Sequence, residues 1–172
     1  SAIKPLSYLA ALGAGLQPNT LVPDEALTLP PPGSNGRARE QDYWTPKNYD
    51  GGSSFGPSTL RRGIEQSRNV MTVRLADDLG MTKIVDLAQR LGLYDKMPLQ
   101  LSMALGAGET TLMKMTTAYS IFANGGKKVQ ATLIDRVQDR LGRTLSRHDT
   151  RTCNSCAAEA FDRAAGEPVL PD

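Results

Sequence analysis

The sequence predicts a mixed α+β fold, predominantly helical with one β-hairpin, on three observations. Apolar residues recur at helical spacing in several segments before residue 92 and again between 112 and 122. Glycines stand where these runs end, as helix stops do. Two short strand-like runs flank Gly142. At 172 residues and 40% apolar, the chain is long enough for one domain with a core, or for a large piece of a bigger one, and too short for two. The formal charge of +2 is scattered, with no basic stripe, which sets nucleic acid aside as a partner. No window reaches the roughly 18 uninterrupted apolar residues of a membrane span, and the first residues lack the charged-then-apolar pattern of a signal peptide, so these residues read as soluble.

In chain order, Pro5 suits the first turn of a helix whose apolar face is Leu6, Leu9, Ala10 and Leu12, broken by Gly13 and Gly15. Periodicity then vanishes from Gln17 to Gly56 among Pro30, Pro31, Pro32, Gly33, Gly36, Gly51 and Gly52, which predicts a long irregular surface segment. A second helix starts near Ser58 or Thr59, turns Leu60 and Ile64 inward, and stops around Ser67. A third runs from about Val70 to Leu79, with Val70, Val73 and Ala76 on one side and Gly80 closing it. Thr82 caps a fourth, carrying Ile84, Val85, Leu87, Ala88 and Leu91 to a stop at Gly92. Leu99, Leu101, Met103 and Leu105 alternate like an extended segment. Leu112, Met115, Tyr119 and Phe122 then step at helical spacing until Asn124-Gly125-Gly126. Leu133 to Asp139 and Arg143 to Arg147 form the predicted hairpin, and beyond Cys153 the Ala-rich polar tail has no period.

Chemistry enters at the first residue. Ser1-x-x-Lys4 at a helix start puts a hydroxyl and an amine on one helix face, since positions i and i+3 are neighbours there. To act as a base, Lys4 has to titrate near neutral pH, and moving a lysine from about 10.4 to about 7 takes roughly 4 to 5 kcal/mol. Burial and the positive end of the helix dipole both push that way. Alone the motif is weak, because 11 serines and 7 lysines yield about 0.4 such matches by chance. Taken by itself, the motif is more simply read as a capping serine beside a solvated lysine. Ser67-Arg68-Asn69 supplies the context: it is the one S-x-N in the chain, at the junction of two predicted helices, although a helix stop and restart would use the same residues. S-x-x-K and S-x-N in that order are two of the three motifs, with K-T-G, of penicillin-binding proteins and class A β-lactamases.

The wider wording, "SAIKPLSYLAALGAGLQPNT", "YWTPKNYDGG", "FGPSTLRRGIEQSRN", "PLQLSMALGAGETTL" and "AYSIFANGG", resembles the transpeptidase domain of class A penicillin-binding proteins of the bifunctional 1A type, from Ser1 to about Arg147. The resemblance implies the transpeptidase and serine β-lactamase-like fold. It implies that Ser1 is the acylated nucleophile, Lys4 its base, Ser67 a proton relay, and Asn69 an amide holding Lys4 and the substrate's peptide carbonyl. It implies D-alanyl-D-alanine stem peptides of peptidoglycan as substrates and β-lactams as acylating mimics, with no cofactor. The expected place is the periplasmic face of the inner membrane, with a membrane anchor only outside these residues. K-T-G occurs nowhere in the sequence, so residues 1–150 read as the N-terminal and central part of an incomplete domain, and 151–172 as a loosely ordered tail leading towards the remainder. As an isolated fragment, the chain is expected to be an impaired enzyme.

Three other readings compete. A serine β-lactamase needs a deacylating carboxylate, and no Glu-centred loop stands between Asn69 and Gly92. An N-terminal-nucleophile hydrolase needs layered sheets that so helical a sequence does not provide. A structural or binding module would keep the fold without turnover. Trp44, with Tyr43 and Tyr49, either lines a substrate groove or anchors the long loop, the anchor being the simpler role. Cys153 and Cys156 fall short of a four-ligand zinc site even with His148, so no metal is expected, only a local disulfide or two thiols. Gly106-Ala107-Gly108-Glu109 lacks the G-K-[ST] of a phosphate loop.

Overall fold

The computed structural model describes residues 1–34, 38–51 and 55–149. They fall into two compact units, one over Ser1–Thr110 and a second from Thr111 onward. Helix α1, Lys4–Gly13, opens the first unit with Pro5 in its first turn, where a missing N–H costs nothing. Strand β1, Leu21–Asp24, pairs antiparallel with β2, Gly56–Thr59, in the register Leu21 to Thr59 and Asp24 to Gly56. Helix α2, Leu60–Glu65, follows at once, its first turn capped by the Thr59 hydroxyl, which accepts the Arg62 N–H at 3.2 Å. Helices α3, Asn69–Leu79, and α4, Met81–Arg90, are separated by Gly80 alone.

The core gathers around α3. Its Val70, Met71, Thr72, Val73, Leu75 and Ala76 are all buried, and α1, β1, α4 and the 3-10 turn Leu101–Leu105 pack against it. Tyr8 and Ala11 from α1, Val22 from β1, Leu60 from α2 and Met71 and Leu75 from α3 form one apolar cluster. Each such aliphatic side chain taken fully from water contributes about 1.5 to 3 kcal/mol before entropy is counted. Close approach of α2 depends on Gly63, where a Cβ would lie 2.6 Å from the Tyr8 hydroxyl oxygen and 2.8 Å from Met71 Cε.

The second unit holds helix α5, Leu112–Ala123, capped by the Thr111 hydroxyl that accepts the Lys114 N–H at 3.2 Å, and a hairpin of β3, Arg136–Gln138, and β4, Thr144–Arg147. Asp139 Oδ1 closes the hairpin turn by accepting N–H groups from Leu141 and Arg143, with Gly142 at φ +80°.

Several sequence expectations are corrected. The segment from Gln17 to Gly56 is not wholly irregular, because β1 and the start of β2 lie at its ends. Prolines at 23 and 57 and a strand length of four residues leave no alternating pattern to read. Residues 101–105 form a 3-10 turn, not an extended run, with Met103 and Ala104 buried. Leu12 and Ile64 point outward. In α1 the buried face is instead Lys4, Leu6, Ser7, Tyr8 and Ala11, so a lysine shares the inward side with aliphatic residues. His148 is exposed. The tail from residue 151, with Cys153 and Cys156, lies outside the described residues.

Candidate active site

The turn between α2 and α3 has an unusual residue at its corner. After the last residue of α2, Gln66 ends the helical path and Ser67 takes φ +53°, the one positive φ at a non-glycine among the described residues. Arg68 donates its N–H to the Gly63 carbonyl at 2.9 Å and Ser67 its N–H to the Ile64 carbonyl at 3.1 Å. Those two bonds make a Schellman helix end, whose left-handed position normally belongs to glycine. A serine there costs roughly 1 to 2 kcal/mol of backbone strain.

What the strained turn presents is a set of acceptors for one buried lysine. Lys4 is 4% exposed. Its Nζ donates to the Ser67 carbonyl, to Ser67 Oγ at 2.9 Å and to Asn69 Oδ1 at 2.6 Å. Burial lowers the pKa of Lys4 from the usual lysine range. The amide of Asn69 is oriented from both ends, because its Nδ2 donates to the Lys47 carbonyl at 2.8 Å while its oxygen faces the ammonium.

Ser1 stands one turn earlier, exposed at the head of α1. Its carbonyl accepts the Lys4 N–H at 3.4 Å and its Oγ accepts the Ile3 N–H at 3.4 Å. On its other side comes Gly106, at the end of the 3-10 turn. Of the five residues singled out in the sequence, Lys4, Ser67 and Asn69 are joined by hydrogen bonds, and Ser1 is tied to Lys4 through the backbone. Trp44 is not joined to them: its N–H and carbonyl bridge to Leu29 at 2.8 and 2.9 Å. A cavity of about 320 Å³ opens beside Ser67, lined also by Asn48, Tyr49, Asp50, Phe55 and Arg62 but not by Trp44.

A supporting layer is absent from the motif reading. Buried Asn48 accepts the N–H groups of Asn69 and Val70 at 2.8 and 3.2 Å, capping α3 from outside its own sequence, and donates to Asp24 Oδ1 at 2.8 Å. Arg68, the middle residue of S-x-N, is buried, with its Nε 3.3 Å from Asp24 Oδ2 and NH1 2.6 Å from Asp50 Oδ2, and its guanidinium lies 3.9 Å over the Phe55 ring. The string "YWTPKNYDGG" held the signal for Asn48 and Asp50, yet only the folded loop reveals which atoms they serve.

Fold and site together match the serine–lysine architecture that pairs an S-x-x-K helix start with an S-x-N turn. The chain belongs to the family described as penicillin binding protein transpeptidase domain, whose model matches residues 1–157. It is 44% identical over 154 residues to penicillin-binding protein 1A of Rickettsia prowazekii (strain Madrid E), a match covering 89% of this chain and 19% of that protein. The chain thus spans about a fifth of the length of the curated relatives it matches. Among solved structures, penicillin-binding protein 1A from Haemophilus influenzae superposes with a TM-score of 0.75 at 33% identity, over 86% of this chain and 21% of that one. The penicillin G acyl-enzyme complex of penicillin-binding protein A from M. tuberculosis, at 22% identity, shares the fold with a TM-score of 0.68 over 86% of this chain and 37% of that one.

Proposed function

We propose that these residues form the nucleophile-bearing half of the active site of a D,D-transpeptidase, part of a longer polypeptide that cross-links peptidoglycan stem peptides and is acylated by β-lactams. The observation that carries the reading is the buried Lys4 Nζ shared among the Ser67 carbonyl, Ser67 Oγ and Asn69 Oδ1. An ammonium has three protons and no acceptor, so these three contacts satisfy it in full. Loss of one proton leaves a lone pair that requires a donor. The Ser67 carbonyl and the Asn69 oxygen cannot donate, whereas the Ser67 hydroxyl can reverse. Lys4 and Ser67 are therefore coupled as a proton pair, and burial favours the neutral amine that a base requires.

In the proposed reaction Ser1 Oγ attacks the carbonyl of the penultimate D-alanine and its proton passes to Lys4. The tetrahedral intermediate collapses as the C–N bond to the terminal D-alanine breaks, and the departing nitrogen takes a proton from the Ser67 hydroxyl, which is replenished from Lys4. An amine of a second stem peptide then attacks the ester, losing its proton along the same path and freeing Ser1. With a β-lactam the broken amide stays attached and the ester persists. The M. tuberculosis protein of the same fold is known as an acyl-enzyme with penicillin G, which supports this partner class. Asn69 holds Lys4 through its side-chain oxygen and, in this reading, offers the Nδ2 proton not committed to the Lys47 carbonyl to the substrate's peptide carbonyl. An oxyanion-hole donor from a K-T-G strand, absent from this sequence, would add about 2.7 to 4 kcal/mol, so the fragment alone is expected to acylate slowly. Among the described residues no helix is long and apolar enough to cross a membrane; the proposed periplasmic location rests on an anchor elsewhere in the polypeptide.

The test uses a fluorescent penicillin and the complete polypeptide. Stoichiometric label at Ser1, lost in Ser1→Ala, is expected; an Ala variant that labels fully overturns the assignment.

A further inference from the structure

The 3-10 turn Leu101–Leu105 ends with Gly106 at φ +89° and ψ 33°, in the left-handed region. Its N–H donates to the Met103 carbonyl at 3.0 Å. A glycine is expected there on backbone grounds alone. Among the described residues, Gly106 differs from Gly15, Gly80 and Gly92, which also have positive φ, in what its missing side chain would touch. A Cβ at Gly106 would lie 2.6 Å from Ser1 Oγ, 3.4 Å from Ile3 Cγ2 and 3.7 Å from Ser1 Cβ, whereas at Gly15, Gly80 and Gly92 it would meet nothing within 4 Å.

We propose that Gly106 is a positioning residue for the nucleophile: its bare α-carbon is the wall against which the Ser1 hydroxyl rests, and any Cβ there turns the hydroxyl away from its reacting position. The proposal rests on the reading of Ser1 as the acylated serine. Ser1 Oγ hangs on one torsion, so a methyl at 106 is relieved by rotating that torsion to another staggered well, with Ser1 Cβ and the backbone staying in place. The fold therefore survives the change while the nucleophile moves. A displacement of about 1 Å at a reacting atom costs on the order of 100-fold in rate, so the effect belongs to the covalent step and not to the binding that precedes it.

Gly92 is a matched control. It ends α4 at φ +71°, with its N–H on the Gln89 carbonyl and the Leu93 N–H on the Ala88 carbonyl, and is open on the side where a Cβ would go. Gly106→Ala and Gly92→Ala both place a Cβ on a backbone of positive φ, but only the first meets Ser1. In the complete polypeptide, stopped-flow acylation by a fluorescent penicillin separates the dissociation constant of the first complex from the acylation rate constant. For Gly106→Ala the rate constant is expected to fall 10-fold or more with the dissociation constant within about 2-fold of wild type; Gly92→Ala keeps both. Wild-type acylation by Gly106→Ala, or an equal slowing in both variants, overturns the proposal. If Gly106→Ala does not fold, the double variant Ser1→Ala with Gly106→Ala is expected to fold, since the oxygen it meets is gone; a double variant that does not fold also overturns it. Ser1→Ala alone keeps the two claims apart, because full labelling of that variant rejects Ser1 as nucleophile whatever position 106 does.

Discussion

Asn48→Ala is the change that best separates the visible motifs from what holds them. Asn48 is buried and makes three bonds: its oxygen takes the N–H groups of Asn69 and Val70, at 2.8 and 3.2 Å, and its amide donates to Asp24 Oδ1 at 2.8 Å. Truncation first leaves the opening turn of α3 with two uncapped N–H groups, a loss worth about 1 kcal/mol by comparison with other helix caps. It also deprives a buried carboxylate of a donor, worth about 1 to 3 kcal/mol because the oxygen has no water to turn to. The sum is about 2 to 4 kcal/mol. Asn48→Asp divides it: the variant keeps the capping oxygen, loses the donor and sets a second carboxylate against Asp24, so it should destabilise at least as much as Ala. Urea unfolding followed by circular dichroism gives the stability, and penicillin acylation of the complete polypeptide reports whether Asn69 has shifted. The expected outcome is a lower midpoint with slower acylation in both variants. If Asn48→Ala unfolds within 0.5 kcal/mol of wild type and acylates normally, α3 does not depend on this cap and the supporting layer described here is incidental.

Two further predictions concern α2 and Lys4. Gly63→Ala gains about 1 kcal/mol of helix propensity but places a methyl 2.6 Å from the Tyr8 oxygen and 2.8 Å from Met71 Cε, an overpacking that costs about 1 to 3 kcal/mol; urea midpoints should fall, and a rise would refute the close approach of α2. For Lys4, the folded pKa lies below the unfolded value of 10.5. Between those two values the unfolded chain binds more protons than the folded one, so stability conferred by position 4 rises with pH through that window and is level above 10.5. The difference in unfolding free energy between wild type and Lys4→Met should therefore grow as pH is raised from 7 towards 10.5, and a difference that is constant or shrinks contradicts a depressed Lys4.

Much of the architecture was legible because it is local. Helices α3 and α4 end at Gly80 and Gly92 as the sequence predicts, and the hairpin around Gly142 forms with an aspartate closing its turn. What escaped is non-local. The ladder of β1 and β2 joins residues 21–24 to 56–59, each strand too short and too rich in proline to show a period of two. Site and sequence divide the same way. Ser67 and Asn69 were identified by motif, but the residues that hold them, Asp24 at the end of β1 and Asn48 and Asp50 in the loop beyond it, stand at spacings that carry no chemical pattern, and only the packed chain reveals Arg68 between two carboxylates. The alternation at residues 99–105 misled because a 3-10 turn repeats every three residues and its buried pair, Met103 and Ala104, is adjacent in sequence.

The same packing explains why a serine can hold a backbone position suited to glycine. A lone serine at φ +53° would relax into a helical or extended conformation and recover roughly 1 to 2 kcal/mol. Here its neighbours on both sides are committed. Arg68 is held by its ion pairs to Asp24 and Asp50, and Gln66 is the last turn of a helix whose Gly63 and Ile64 carbonyls take the next N–H groups. Relaxing Ser67 would break the Schellman bonds, pull Arg68 from a buried carboxylate and strip two acceptors from Lys4. Loss of one partner from a buried ion pair alone costs about 3 to 5 kcal/mol, which exceeds the strain. The turn is therefore stable because of the charge network behind it, and the hydroxyl that glycine lacks is the group that faces Lys4.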